Sequence, residues 1–305
     1  MALLNGLEEV FCNLCGSREA SLLYERPYRL KGLSDCGAFV ATTDEFSDYG
    51  RVVRCACGLA YTNPRPSQAE LLQGYAGCVD EAYLAESSSR SINAHLSLST
   101  IKRFAAKGRL LEVGSASGYF LNAARVDFDV SGLEPSQWAC ALARERYKLD
   151  VHAESLESTE RFPDESFDVV ALIDVIEHLS DPQAAIRKAA RLLKPGGILY
   201  LVTPDIGSLS SWILGSRWWG LRPAHIYYFD RKTMGAMVAA AGLETVLVKS
   251  FGRIFTYGYW ASRLRQYPAV VHGTLERVIR ALDIAGKFLY LDTRDSMELC
   301  ARKPS

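Results

Sequence analysis

The chain has 305 residues, 49% of them apolar, which is room for one large domain or two modest ones around a substantial core. Its 35 Lys and Arg balance 35 Asp and Glu, so no general attraction to nucleic acid or to an anionic membrane is expected. Met1-Ala2-Leu3-Leu4 lacks a basic segment followed by an apolar run, and the apolar stretch 169–176 is short and interrupted by Asp174; neither a signal peptide nor a transmembrane segment is expected, and the default is a soluble cytoplasmic protein.

Residues 1–66 read as a small, turn-rich unit holding four of the eight cysteines as two close pairs, Cys12 with Cys15 and Cys55 with Cys57. In a chain with no export signal such pairs point to metal rather than disulfides. Cys12-Asn13-Leu14-Cys15-Gly16 has the spacing of a zinc knuckle, in which two thiolates chelate one Zn²⁺ and the glycine permits the turn. The second pair is one residue tighter than the usual spacing, and Cys36 is an alternative to one of its members. Asn63-Pro64-Arg65-Pro66 is held extended by its prolines and forms the exit. Residues 67–94 follow as a helical linker carrying Tyr75 and Tyr83, and the main domain occupies 95–305, beginning with an apolar stripe at Ile101, Phe104 and Ala105.

From residue 109 the pattern alternates. Apolar runs at 110–113, 129–133, 167–174 and 197–203 are separated by helical stretches, the pattern of a doubly wound, Rossmann-like α/β fold with a parallel sheet. Ser136 caps a helix through Tyr147; Asp181 and Pro182 open another that reaches Leu193 and stops at Lys194-Pro195-Gly196-Gly197. Two insertions interrupt the alternation. The first, at about 207–230, carries Trp212, Trp218, Trp219, His225, Tyr227, Tyr228 and Phe229. The second, at about 257–293, contains a helix with Leu275, Val278, Ile279, Leu282 and Leu289 on one face, packed on the domain or in a homodimer; membrane-surface binding is the weaker reading, since Glu276 and Asp283 accompany Arg277, Arg280 and Lys287. A helix at 231–241 and a strand at 244–250 lie between them, and a strand at 296–302 ends the fold.

The turn in "LLEVGSASGYF" (110–120) decides the ligand class. A dinucleotide site wants Gly-x-Gly-x-x-Gly; here Ala116 and Tyr119 occupy the second and third positions, and no Gly-Lys-Ser/Thr follows as in a P-loop. Glu112 would repel a pyrophosphate but suits a ligand with a cationic amine and a sulfonium, such as S-adenosylmethionine. Glu134, 22 residues on at the end of the next strand, can accept both hydrogen bonds of a ribose diol.

Together with "VSGLEPS", "FPDESFDVVALIDVIEHLSDP" and "RLLKPGGILYLVTPD", this stretch resembles the class I S-adenosylmethionine-dependent methyltransferases over about 95–250. The resemblance implies a seven-stranded sheet whose last strand runs antiparallel between its neighbours. It places Gly114, Ala116 and Gly118 along the cofactor, Glu134 on its ribose, Glu154-Ser155-Leu156 at its adenine and Asp174 to Ile176 facing the methyl group. Ala116 departs from the glycine common there. Residues 10–66, through "CACGLAYTNPRP", resemble the zinc-ribbon domain that precedes certain methyltransferases acting on sugar nucleotides or natural-product intermediates, which also carry a segment like "HIYYFD". Four thiolates, Cys12, Cys15, Cys55 and Cys57, imply a structural Zn²⁺.

Methyl transfer requires alignment of donor and acceptor and, for a hydroxyl or acidic carbon, a base. His225 on the aromatic insertion is the first candidate, and the rival is His178, which with Asp174 and Glu177 is a base pair or a weak divalent-metal site. A similar acidic–histidine cluster occurs in ubiquinone-biosynthesis O-methyltransferases, which this stretch resembles. Tyr83 and Tyr75 are candidates for closing over the cofactor or acting as a phenol acid; Trp212, Trp218 and Trp219 are candidates for a substrate wall, with Arg217 and Arg222 for an anionic group on the acceptor. A small-molecule acceptor is expected. The competing readings are an RNA methyltransferase gripping RNA with its zinc ribbon, which the neutral charge opposes, and a non-catalytic cofactor-binding scaffold.

Overall fold

The alternation after residue 108 folds, in a computed structural model describing residues 7–28, 49–77, 79–265, 267 and 269–305, into one seven-stranded sheet. Its strands are β1 (Gly108–Val113), β2 (Phe128–Leu133), β3 (Val151–His152), β4 (Phe167–Ile173), β5 (Leu193–Pro204), β6 (Glu244–Ser250) and β7 (Ser296–Arg302). Their order across the sheet is β6-β7-β5-β4-β1-β2-β3. The first five are mutually parallel, and β7 runs antiparallel between β5 and β6, as the resemblance implies.

The apolar runs form central strands because both of their faces are covered. Leu111, Val170, Leu172, Leu199 and Leu201 pack on one side with Ile186, Ala189 and Met237, while Leu110, Val169, Ala171, Ile198, Tyr200 and Val202 pack on the other with Leu98, Ile101, Leu121 and Ala143. The covering helices start where the capping residues place them. Ser136 accepts from the Ala139 amide to open Gln137–Tyr147, and Asp181 accepts from the Ala184 amide to open Pro182–Leu192. The strand after that helix already includes Lys194-Pro195-Gly196-Gly197, and its register with β4 breaks between Leu193 and Ile198.

The amino-terminal cysteine region does not close on itself. Its strands Ala20–Tyr28, Tyr49–Cys55 and Ala60–Thr62 form an antiparallel sheet whose fourth strand, Tyr227–Tyr228, comes from the first insertion, with Tyr227 opposite Tyr61. Cys12, Val53, Leu59 and Tyr61 share a buried cluster with Leu172, Ile186 and Met237. The boundary at 66 therefore divides a hydrogen-bonded sheet, and the one between 94 and 95 falls inside the helix Ser87–Ile101. Cys36 lies outside the described residues.

The second insertion is a hairpin, Arg253–Thr256 against Phe288–Leu291, carrying the helices Tyr257–Ser262 and Ala269–Ala281. The expected apolar face is thereby corrected: the chain leaves the helix at Ala281, Asp283 takes a left-handed φ of 50°, and Leu289 belongs to the hairpin strand. Among the described residues no helix is long and apolar enough to cross a membrane.

Candidate active site

The carboxyl ends of β1, β2, β4 and β5 open into a cavity of about 930 Å³, lined by Gly114, Glu134, Asp174 and Pro204 among others. The turn after β1 holds three left-handed residues in five: Gly114 (φ 71°), Ala116 (φ 44°) and Gly118 (φ 82°). A Cβ on Gly114 would stand 2.4 Å from Val175 Cγ2, so glycine lets the turn lie against the loop after β4. Ala116 adopts the same conformation with a Cβ, at a cost of about 1–2 kcal/mol. Its amide donates to Glu134 Oε2 (2.9 Å), and the Ser136 amide donates to Glu134 Oε1 (2.8 Å). Each Glu134 oxygen keeps a second acceptor position. Gly118 does not line the cavity; it stands behind the turn, where a Cβ would meet Leu149 and Ala143.

Glu112 is 5% exposed, borders the cavity, and its Oε2 is buried with no hydrogen-bond partner among the described residues. Burial, and then the charge of Glu134, hold its carboxyl well above the usual carboxylate range. A cationic group beside it would relieve both penalties, so Glu134 and the unpartnered Oε2 of Glu112 together fit a ligand with an amine and a diol. Tyr83 lies on the same side, stacked on Tyr119 with ring centroids 5.9 Å apart and with the Arg90 guanidinium 3.3 Å from its ring centre. Burial raises its phenol pKa, and Glu112 and Asp174 add to the effect. Glu154, Ser155 and Leu156 also line the cavity, but the Glu154 carboxylate is engaged by Thr159 Oγ1 (2.7 Å) and the Arg161 guanidinium (2.5 Å), which hold its pKa down.

Across the cavity the two rival histidines stand together. Their ring centroids are 4.7 Å apart at 78°, and one ligand atom each from Glu177, His178 and His225 lie within 4.8 Å of one another. His225, 4% exposed, has Nδ1 2.9 Å from the Gly220 carbonyl, and His178 Nδ1 lies 2.9 Å from the Ala224 carbonyl. A carbonyl oxygen only accepts, so both rings carry their proton on Nδ1 and keep Nε2 as a lone pair. The Tyr75 hydroxyl oxygen, 2.7 Å away, also receives His178 Nδ1. Burial pushes His178 down to about 4; burial, then the neighbouring His178 and Arg222, put His225 well below the usual histidine range. Glu177, 2% exposed and accepting from Thr203 Oγ1 (3.0 Å), is pushed up to about 8 by burial and then by Asp174.

The loop after β4 turns through Asp174 in a left-handed φ of 54°, and Arg253 donates to its carboxylate at 2.6 Å. Asp174 and Val175 border the cavity, whereas Ile176, expected beside them, is fully buried in the core. The three tryptophans expected to form one wall separate. Trp218 is fully buried, Trp219 lines the cavity and donates from Nε1 to Asp295 (2.5 Å), and Trp212 is 79% exposed. Arg222 lines the cavity; Arg217 does not, and its carbonyl accepts from Tyr267. Sequence reasoning missed Arg253 and the anchor Asn93, whose side chain both donates to and accepts from the Ile254 backbone at 2.8 Å. Neither belongs to a local motif.

The four cysteines form a second cluster. Cys12 Sγ is 3.5 Å from Cys57 Sγ, Cys15 Sγ is 3.4 Å from Cys55 Sγ, and all four sulfurs lie within 4.8 Å of one another. Zinc–sulfur bonds of about 2.3 Å give a tetrahedron with edges of about 3.8 Å, so donor type and spacing fit Zn²⁺. The tight second pair is accommodated by a turn in which Gly58 takes a φ of 101°. Asn13, inside the first pair, donates to Asp181 Oδ1 (2.9 Å) and accepts from the Gln183 amide (2.9 Å), and Arg65 donates to the Ser180 carbonyl (2.8 Å). The cysteine sheet thus holds the chain that follows His178, and through the strand Tyr227–Tyr228 it holds the chain that follows His225.

A profile of the methyltransferase-domain family matches residues 88–248. The ubiquinone biosynthesis O-methyltransferase of Xanthomonas oryzae pv. oryzae is 35% identical over 104 residues, covering 32% of this chain and 44% of that protein. The enzyme of the same name from Idiomarina loihiensis is 29% identical over 113 residues, 35% of this chain and 46% of that one. The chain thus spans under half the length of the curated relatives it matches. In fold it is similar to a SAM-dependent methyltransferase from Archaeoglobus fulgidus (TM-score 0.51, 18% identity, 73% of this chain and 100% of that one) and to the YcgJ protein of Bacillus subtilis (TM-score 0.50, 21% identity, 69% and 99%). With the family's profile covering more than half of its residues, and with the sheet order and glycine turn described above, this chain belongs to the methyltransferase-domain family.

Proposed function

We propose that the protein transfers a methyl group from S-adenosylmethionine to a small-molecule acceptor, with the pair His225 and His178 serving the acceptor. The observation that carries this reading is the buried Glu112 carboxyl, its Oε2 without a hydrogen-bond partner among the described residues, in the same cavity as two histidines whose Nδ1 atoms lie against backbone carbonyls. The cofactor supplies an electrophilic methyl on a cationic sulfonium. Glu112 would pair with its amino group, the second acceptor positions of Glu134 would take the ribose hydroxyls, and Glu154, Ser155 and Leu156 would border the adenine. Gly114 and Ala116 would let the backbone approach, while Gly118 sets the start of the helix behind them. Tyr83 would wall the cofactor; with its pKa raised it keeps its proton near neutrality.

On the acceptor side, burial keeps His225 neutral at physiological pH, so Nε2 can accept a proton from a hydroxyl or acidic carbon. His178, whose ring lies 4.7 Å from that of His225, would receive or share that proton. Arg222 favours an acceptor carrying an anionic group, while Arg253 is engaged by Asp174. The aromatic and aliphatic residues of the second insertion favour a natural-product intermediate over a sugar nucleotide. The O-methyltransferase names of the relatives support oxygen as the methylated atom. The four-cysteine cluster would hold one structural Zn²⁺, since four thiolates leave no position open for chemistry.

The test is to incubate the purified chain with labelled S-adenosylmethionine and a small-molecule extract, and to search for label by mass spectrometry. A labelled small molecule whose formation is lost in His225→Ala supports the reading. Cofactor binding with label only in macromolecules, or with none anywhere, overturns it.

A further inference from the structure

The acceptor side of the cavity has walls that are apolar on both surfaces. Leu275 and Ile279, one turn apart on the helix Ala269–Ala281, line the cavity, as do Leu289 and Leu291 at alternate positions of the hairpin strand. The outward positions of the same segment are apolar too: Val278 is 48% exposed, Leu282 61% and Phe288 49%. The helix Leu209–Leu214 repeats the arrangement. Ser210 and Leu214 line the cavity, while Leu209, Trp212 and Ile213 form an i, i+3, i+4 stripe that is 69%, 79% and 65% exposed. Ser210 Oγ donates to Asp295 (3.4 Å), and the Tyr267 hydroxyl donates to the Arg217 carbonyl (3.2 Å), tying the two segments together beside the cavity.

A stripe of Leu, Trp and Ile facing water at the edge of a binding cavity marks a contact site. Charge selects the occupant. Residues 257–295 carry six Arg and Lys against four Asp and Glu, a small local cationic excess in a chain that is neutral overall. Two copies meeting here would bring like charges together, whereas an anionic bilayer offers both an apolar interior for Trp212 and a negative surface for the arginines.

We propose that this edge of the cavity docks on an anionic lipid surface, and that the acceptor is an amphiphile drawn from it, its apolar body lying against Leu275, Ile279, Leu289 and Leu291. The docking stands on the exposed residues alone; the identity of the amphiphile as acceptor rests on the methyl-transfer reading. The full chain is sedimented with vesicles of phosphatidylcholine, with and without about one-third phosphatidylglycerol, alongside Trp212→Ser/Ile213→Ser and the control Val126→Ser, which alters a residue 81% exposed and outside the cavity lining. Expected are binding to the anionic vesicles, a loss of about tenfold or more in the double variant, no change in the control, and S-adenosylmethionine affinity by calorimetry equal in all three chains. Failure of the wild type to sediment, or equal sedimentation of wild type and double variant, overturns the proposal. So does a dimer in light scattering that the double variant abolishes, which would assign the stripe to a second copy. Vesicle binding by a chain that does not bind S-adenosylmethionine would instead sink the methyl-transfer reading and leave the docking standing.

Discussion

The two halves of the cavity are made from different kinds of chain. The half proposed for the cofactor is local: Glu112, the turn 114–118 and Glu134 lie within 23 residues, and its main contacts are backbone amides to one carboxylate. The half proposed for the acceptor is assembled from distant segments, with Tyr75, His178, His225 and Arg253 brought together from four parts of the chain. Backbone geometry set by short-range sterics builds the first; burial and tertiary hydrogen bonds build the second. The halves should therefore respond separately to substitution.

The largest separation is expected from His225→Ala, which should lower kcat by about 10²–10⁴ while leaving S-adenosylmethionine affinity within about twofold. An equal loss of cofactor affinity would show that the halves are one unit. Glu134→Ala should do the reverse. It removes two charge-assisted anchors of the turn and the ribose acceptors, and cofactor affinity measured by calorimetry should fall about 100-fold. Glu112→Gln should have two effects of opposite sign, weakening cofactor binding about tenfold and raising the stability of the cofactor-free chain at pH 7. The second effect follows because burial disfavours the ionised carboxylate. A less stable cofactor-free variant would mean that Glu112 is already paired.

The cysteine cluster sharpens the contrast further, because it is tied to the acceptor half. Asn13→Ala should cost about 1–2 kcal/mol in denaturant unfolding and speed amide exchange at 181–184, with the turn 114–118 unaffected. A pH dependence carried by Glu177 separates the halves without a change in cofactor binding. Its folded pKa of about 8 lies above the unfolded carboxyl value of 4.5, so its contribution is full below pH 4.5 and is lost as pH rises through about 8. Wild type should accordingly lose stability relative to Glu177→Gln between those values; a constant difference would rule out a protonated Glu177. His178 has the opposite sign. Its folded value of about 4 lies below the unfolded 6.5, so its contribution is present above pH 6.5 and lost as pH falls towards 4.

Much of the main sheet was legible in the chain. The central strands are continuous apolar runs because both faces are covered, and Ser136 and Asp181 mark helix starts because their side chains satisfy amides that the helix leaves unpaired. The carboxylates Glu112 and Glu134 and the turn between them could be recognised because strand, turn and helix are consecutive. The misplacement of Leu289 has a local cause: apolar residues at helical spacing fit a continuous helix, and only the left-handed turn at Asp283 shows that the chain reverses.

What the amino-acid sequence determined by itself is what depends on neighbours along the chain: hydrophobic period, caps, the glycine turn and the spacing within each cysteine pair. Only the tertiary structure decided that Tyr227–Tyr228 completes the cysteine sheet, that Trp212, Trp218 and Trp219 face three different environments, and that His178 and His225, 47 residues apart, form one pair rather than two alternatives. Edge strands, burial and side-chain juxtaposition are set by which surfaces meet when the layers pack. No short-range rule along the chain encodes which surfaces those will be.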